Sequence, residues 1–595
     1  MKTHRMKQKN LVAQWAFDCR PILGRLHLWL EDVHIEWLRG QPADDLLDSI
    51  SFTDQRTEKM LAMTLAVTAL GTRLFGRYGQ GAGVDKQALN FIKKDADAIS
   101  AYAMSESLWY LTRTVPENHA IMVCLGEGLM PKGGETSEMG ANPLLGFGRI
   151  YARPQVAKFL ETWVHRLIND PVYTWEDFRK TIAKEDITIW GAAIDTLENT
   201  SRFARGEETG PMTILHLFDQ PLAISDQYEG YIGNLVVPRK VVEQAAEDSI
   251  LIDFFTPRHL VAQAIQKTYP GIQPGHIHVW TLRGEHRAGR IRHIWEQWQA
   301  AGAHLVDDDW TLPSGWKPFT DAGTYAPTLV IGDWTDEQNA RHLFIVDGYA
   351  ASAEAIQAAS LASILDLSVS MAVLSSRFQF PAHLDAATMK LDPEKTDFAD
   401  RLQQLLNEPN LDADTIQAYQ DSIRAALKAG IPLKTRTLSA DDLISEKKWH
   451  ALAGAGYMLP DPYTGAPGVT QIADNTYEVT VRITTDRGDK RITFALRLEE
   501  PFDDSKLVFS PLLNRFLKGE DFQNRAVKIS DSGRIRNELQ TLCSEALSYV
   551  QNKMILAFDK IPQATISIED QKKLRQILIW YKENHPIWFD WLELK

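Results

Sequence analysis

Between residues 118 and 380 the chain is punctuated by short apolar runs, and this pattern narrows the fold more than any other feature. Ala120–Leu125 reads Ala-Ile-Met-Val-Cys-Leu without a polar interruption. Similar runs occupy Ile214–Phe218, Ile277–Leu282, Ala303–Val306, Thr328–Ile331, Leu343–Val346 and Met371–Leu374. A strand buried on both faces reads this way, whereas a half-exposed strand alternates. Several runs are separated by helical patterns long enough to serve as crossovers, which predicts an α/β unit: a mostly parallel or mixed sheet with helices on both faces. One link is too short for a crossover. Residues 332–342 leave room for a hairpin, so the runs on either side of them are expected to pair antiparallel.

On the N-terminal side, residues 1–117 show apolar spacing of helical period, as in Leu61, Leu65 and Leu70 and again in Ile99, Tyr102, Leu108 and Trp109, and predict a helical layer. On the C-terminal side, residues 385–595 predict an α+β region. Phe398–Leu406 and Ile416–Leu427 read as helices, as do Asn537–Ala557 and Ile568–Asn584 near the aromatic cluster Trp580, Tyr581, Trp588, Phe589 and Trp591. A hairpin over 477–498 is the clearest local signal: Tyr477, Val479, Val481 and Ile483 alternate with polar residues, Asp486-Arg487-Gly488-Asp489 supplies a turn, and Ile492, Phe494, Leu496 and Leu498 alternate again. This region is expected to form a distinct helical unit that takes part in self-association. Helix starts are predicted near Thr174, which has Asp177 three residues on, and near Thr256, which precedes Pro257.

At 595 residues, with 44% hydrophobic and 24% charged residues, the chain has the composition of a soluble protein of several packed units. Lys plus Arg total 64 against 78 Asp plus Glu, so the net charge of −14 gives no general attraction to nucleic acid or to an anionic membrane. The 3 cysteines, Cys19, Cys124 and Cys543, are odd in number and widely spaced, which fits a reducing cytoplasm better than a disulfide framework. The apolar stretch Leu11–Phe17 is too short for a signal-peptide core. The uncharged run Met60–Thr72 falls short of the roughly 20 residues that cross a bilayer.

In open α/β sheets ligands sit beyond the carboxyl ends of the strands, and three loops there carry chemistry. Gly126-Glu127-Gly128 opens a glycine-rich loop in which Lys132 supplies a charge, and Glu127 is a candidate acid or base. Its spacing matches neither a phosphate-binding P-loop nor a dinucleotide fingerprint. The second loop places Arg283, Arg287 and Arg290 at a helix N-terminus, where the dipole disfavours cations and a bound anion would neutralise them; surface ion pairs are the bland explanation. In the third, Asp347 ends the apolar run and Ser352 stands ready to cap an Ala-rich helix, which makes Asp347 a second candidate acid or base or a plain turn aspartate.

Metal signals are weaker. His276-x-His278 points two imidazoles to one face of a strand, and His286, His293 and His304 follow closely. Yet the pair begins its strand, away from the loops that hold ligands, so convergence is not expected and no metal ligand is assigned. Asp307-Asp308-Asp309 offers oxygen ligands to Mg²⁺, although an acidic run of this kind is more often a solvated turn. The cofactor is thus unknown.

The expected function is that of a soluble cytoplasmic enzyme that binds a small anionic metabolite, phosphorylated or carboxylated, through Gly126, Gly128, Lys132, Arg283, Arg287, Arg290 and Ser352. Glu127 and Asp347 would do acid/base work of a kind used in isomerisation, lyase action and hydrolysis alike. The alternative is a non-catalytic scaffold or regulatory protein that assembles as a homo-oligomer through its helical ends. The three loops, residues 126–134, 283–290 and 347–352, are expected to line one concavity, and the shared-site idea fails if any pair of them lies on opposite sheet edges.

Overall fold

A computed structural model describes residues 3–6, 10–11, 28–40, 55–112, 115–126, 145, 148–170, 172–222, 229–250, 252, 254, 256–283, 288–321, 323–351, 357–362, 364–375, 394–406, 409–413, 416–417, 420, 436–439, 451–485 and 488–498. The apolar runs supply the interiors of two separate mixed sheets. The first, of eleven strands, follows the order Thr3–Met6, Leu28–Arg39, Gly488–Leu498, Thr476–Thr485, Ala451–Tyr457, Met212–Phe218, Thr188–Glu198, His119–Leu125, Ile150–Ala152, with Asn10–Leu11 and Thr470–Ala473 attached beside it. The second, of seven, runs His304–Leu305, Ile277–Trp280, Arg341–Ala351, Glu229–Pro238, Leu367–Ser375, Arg436–Ser439, with Gly332–Thr335 paired to Arg341–Ala351.

Of the two expected alternatives, mostly parallel or mixed, both sheets are mixed. Among the described pairs only His119–Leu125 with Thr188–Glu198, and Ile277–Trp280 with each of its two neighbours, are parallel. The reason is the length of the connections. Thr188–Glu198 spans 11 residues, about 36 Å of strand, while the 6-residue helix Thr200–Arg205 that follows it covers only about 9 Å. Such a helix cannot return the chain to the starting edge, so Met212–Phe218 pairs antiparallel. An antiparallel hairpin does form here, but the expected strand Thr328–Ile331 is corrected: Tyr325–Thr328 is a helical turn, and the hairpin pairs Gly332–Thr335, within the expected link, with Arg341–Ala351.

The N-terminal expectation also needs correction, because Leu28–Arg39 is a strand. Its apolar residues change phase where Ala495 faces Asp32 and Leu496 faces Leu30, leaving Glu31 as the extra residue of a bulge. The step from Leu30 to Val33 therefore imitates helical spacing. The helices Gln55–Phe75 and Lys86–Leu111 do form, packing on each other and on the first sheet. The first sheet draws on all three expected regions, since Leu28–Arg39 pairs with Gly488–Leu498 and Ala451–Tyr457 with Met212–Phe218. The 477–498 hairpin is present, with Tyr477, Val479, Val481, Ile483, Ile492, Phe494, Leu496 and Leu498 buried, but it belongs to that sheet. Residues 499–595, which hold the aromatic C-terminal cluster, lie outside the described residues. Helix Gln55–Phe75 reaches Ala451–Tyr457 closely: a Cβ on Gly454 would stand 2.5 Å from Leu65 Cδ1, and one on Gly456 2.6 Å from the Leu65 carbonyl oxygen.

Two further readings are seen directly. Thr174 caps Trp175–Ala183, accepting from the Asp177 amide while the Asp177 carboxylate accepts from the Thr174 amide. The helix near Thr256 begins at Arg258, one residue later than expected. Among the described residues no helix is long and apolar enough to cross a membrane.

In the second sheet the side chains of Arg341–Ala351 divide by parity. Leu343, Ile345 and Asp347 share one face with Ile277 and Val279, and helices Arg258–Thr268 and Ala288–Ala300 place Arg258 and Trp298 there. His342, Phe344 and Val346 share the opposite face with His278 and Trp280, and from it Trp280 donates to the Tyr463 hydroxyl at 2.9 Å and to the Phe319 carbonyl at 3.1 Å. The two sheets are further joined by His216 Nδ1 and Ser360 Oγ at 2.6 Å and by the Gly323 amide, which donates to Glu198 at 2.8 Å.

Asp347 lies in mid-strand at 0% exposure, and its carboxylate accepts from Arg258 Nε at 2.6 Å, Arg258 Nη2 at 3.1 Å and Trp298 Nε1 at 2.6 Å. Removing one member of such a buried pair strands the other in a low dielectric. Arg258→Met should therefore lower stability by about 3–5 kcal/mol, and Arg258→Met with Asp347→Leu should recover most of it. Urea unfolding midpoints of the two variants against the parent chain check this, and a single variant as stable as the parent would contradict it.

Candidate functional site

The amino ends of three neighbouring parallel strands bring histidines together. His304 sits opposite His278, His278 opposite Phe344, and Trp334 opposite His342, so these side chains share one face of the second sheet. Across that face a continuous line of hydrogen bonds runs from a carboxylate to an imidazole. Asp336 Oδ2 meets His342 Nε2 at 3.0 Å, His342 Nδ1 meets His278 Nε2 at 2.9 Å, and His278 Nδ1 meets His304 Nδ1 at 2.8 Å. His276 stacks on His342 with ring centroids 4.2 Å apart.

Local structure holds each member in place. Asp336 opens the turn of the Gly332–Thr335 hairpin, where its Oδ1 accepts from the amides of Gln338 and Ala340. Asp307 accepts from the amides of Asp309 and Trp310, which makes the acidic run a turn; Asp308 accepts from Thr320, and Asp309 is fully exposed. That turn carries Trp310 over His278 at 4.7 Å, and Trp334 covers both His278, at 5.3 Å, and His342, at 5.2 Å. His278 is only 6% exposed, and its burial together with the neighbouring histidines pulls its pKa down to about 3. Burial also lowers that of half-buried His304, where nearby Asp307 acts in the opposite sense and the Arg283 cation adds to the lowering.

This spacing suits proton exchange better than metal binding. Imidazole nitrogens that share a tetrahedral zinc stand about 3.3 Å apart, a consequence of metal–nitrogen bonds of about 2.0–2.1 Å. Contacts of 2.8 and 2.9 Å are hydrogen bonds. Among the described residues no group of three or more His, Cys, Asp or Glu is arranged to hold a metal ion.

The expected loop residues are distributed differently. Gly126 ends a strand of the first sheet and is tight, since a Cβ there would collide with the Leu145 carbonyl. Asp347 lies in a strand of the second sheet, and Arg283 follows its strand Ile277–Trp280. Arg283 donates from Nη2 to the Leu305 carbonyl at 3.1 Å, one residue beyond His304, and its amide donates to Thr320. Asp347 faces the helices, on the opposite side of the sheet from the histidines, and its buried pair with Arg258 occupies it. Glu127, Gly128, Lys132, Arg287, Ser352 and His286 lie outside the described residues. Arg290 and His293 fall within helix Ala288–Ala300, where their side chains are not described.

Sequence reasoning treated the carboxyl ends of the strands as the place for chemistry and so discounted the histidines. Three of the five noted, His276, His278 and His304, do meet, and His342 joins them. The available signal was His276-x-His278 together with a histidine at the start of two further strands, His304 and His342. No family model matches the chain, and no curated protein matches it.

The buried histidines tie stability to pH. His278 and fully buried His216 are both pulled to about 3 by burial, against an ordinary value of 6.5. An unfolded imidazole takes up a proton as the pH falls through 6.5, while these two do not until about 3. The unfolded chain therefore binds more protons, and stability that is complete above 6.5 should fall by ~1.4 kcal/mol per pH unit for each such residue below it. Denaturation series between about pH 8 and about pH 5 should show a shallower slope for His278→Phe than for the parent chain. Equal slopes would contradict the assignment.

Proposed function

We propose that the chain is an enzyme that carries out acid/base chemistry on a small anionic molecule, phosphorylated or carboxylated, at the His304 end of the imidazole line. The observation that carries this reading is the Asp336–His342–His278–His304 connection, with its three contacts of 3.0, 2.9 and 2.8 Å. A carboxylate that orients an imidazole is a recurring device for proton transfer, and here the orientation passes through two further rings. Arg283, whose guanidinium makes one hydrogen bond among the described residues, stands near His304 to face the anion, and Trp310 shields the line from water. With Asp347 engaged by Arg258 and Trp298, the proton-exchanging role passes to His304.

A reducing cytoplasmic location is part of this proposal. It is supported by the few, widely spaced cysteines and by Cys124, a free, fully buried thiol pushed up to about 12 by burial. The scaffold reading draws on one surface feature. The strand Thr470–Ala473 is exposed throughout, carries Ile472 at 50% exposure and among the described residues pairs only with Thr476–Thr485, an edge that another chain could extend.

A thermal-shift screen of phosphorylated and carboxylated metabolites, with and without Mg²⁺, tests the enzyme reading, because a ligand of the native state raises the melting temperature by mass action. A hit should bind about tenfold or more weakly to Arg283→Gln, which loses a charge-assisted bond but keeps a donor for Leu305. His304→Gln should keep binding and lose turnover. Absence of any hit, together with a concentration-dependent mass in solution, would favour the scaffold.

A further inference from the structure

The line of imidazoles leaves little freedom in where its protons sit. Asp336, when ionised, can only accept, and its carboxyl is held below the usual range by the hydrogen bond from His342 and by the amides of Ala340 and Gln338. His342 must then carry its proton on Nε2. A neutral imidazole has one N–H and one lone pair, so Nδ1 of His342 accepts and His278 Nε2 donates to it. By the same rule His278 Nδ1 accepts from His304 Nδ1, and the last lone pair falls on His304 Nε2. Among the described residues no group hydrogen-bonds that nitrogen.

We propose that Asp336 sets the tautomer of His304 across two intervening histidines, so that Nε2 of His304 is the unprotonated nitrogen that faces the reacting molecule. Asp336 is thus a positioning residue, and the role given to Nε2 rests on the acid/base reading above. When His304 Nε2 takes a proton from a bound molecule, its Nδ1 proton moves to His278 Nδ1, the His278 Nε2 proton moves to His342 Nδ1, and the bound molecule keeps the electron pair. One proton has entered and one positive charge has appeared, now on His342 against the Asp336 carboxylate. The transferred charge therefore comes to rest beside a counter-ion, 3.0 Å away, and not on His278, where burial and the adjoining imidazoles oppose it.

Three further charged or titratable groups lie around the line. Asp307 and Arg283 bear on His304 with opposite sign, and His276 stacks on His342. Trp310 and Trp334 cover the centre without adding charge, which keeps water from supplying competing donors.

The test is imidazole nitrogen spectroscopy of the full chain labelled with ¹⁵N-histidine, at a pH of about 8, above the ordinary imidazole range. In the parent chain His304 should be predominantly protonated on Nδ1. Asp336→Leu should convert it to predominantly Nε2–H, the form a solvated histidine prefers, and Asp336→Glu should restore the parental pattern. Because Asp336 also closes a turn, His278→Phe supplies a second interruption that leaves the turn intact, and it should produce the same conversion at His304. A His304 that is protonated on Nε2 in the parent chain, or that is unchanged in both variants, overturns the proposal. The measurement needs no ligand, so a failed metabolite screen alongside a tautomer that responds to Asp336 would sink the enzyme reading alone.

Discussion

The buried pair between Arg258 and Asp347 organises the second sheet. A carboxylate at 0% exposure is tolerable only with its oxygens satisfied, and three donors from two helices, Arg258 Nε and Nη2 and Trp298 Nε1, meet that condition. Because the pair needs both helices on the same side, it fixes which face of Arg341–Ala351 they cover. The alternation of side chains along a strand then assigns the remaining residues. With Asp347 turned to the helices, His342 and Phe344 must face away, and so must their neighbours His278 and Trp280. One ion pair thereby commits a whole row of aromatic and imidazole groups to the opposite face.

Along that face the environment changes over a few residues. Toward the carboxyl ends of the strands, Trp280 contacts Tyr463 and the Phe319 carbonyl and helps to hold the two sheets together. Toward the amino ends the histidines reach the sheet edge, where His304 is half-buried and His342 retains 13% exposure. The strands there are short: His304–Leu305 has 2 residues and Gly332–Thr335 has 4. Such edges add little by backbone pairing, and the stacked rings of Trp310, Trp334, His278 and His342 contribute much of what closes them. The polar line is acceptable in this setting because each of its nitrogens up to Nδ1 of His304 has a partner. A neutral chain of imidazoles avoids the cost of a buried charge while remaining able to pass one to its end.

How legible this was differs from element to element. The 477–498 hairpin was read correctly because alternation of period 2 and a turn of Asp, Arg, Gly and Asp are local signals, each a direct consequence of strand geometry. The Thr174 cap was readable for the same reason. Leu28–Arg39 was misread because a bulge at Glu31 shifts the alternation by one residue, and nothing within the segment announces a bulge that only the partner strand defines. The histidine line was half visible. His276 and His278 drew attention by proximity in sequence, but His342 lies 64 residues from His278 and Asp336 has no special context until the hairpin turns.

The sequence by itself determined the strand character of most of the short apolar runs and of the 477–498 hairpin, that helices separate many of them, and where the Thr174 cap falls. Each follows from the chemistry of residues a few positions apart. Only the tertiary structure decided that the apolar runs divide between two sheets, that most of their pairings are antiparallel, and that the N-terminal and C-terminal strands close one sheet together. Strand pairing satisfies backbone groups whatever the side chains are, so sequence constrains a strand's partner weakly. The same holds for Asp347, whose position looked catalytic from its neighbours in sequence. Its role was decided by an arginine 89 residues away, brought beside it by the packing of a helix on the sheet.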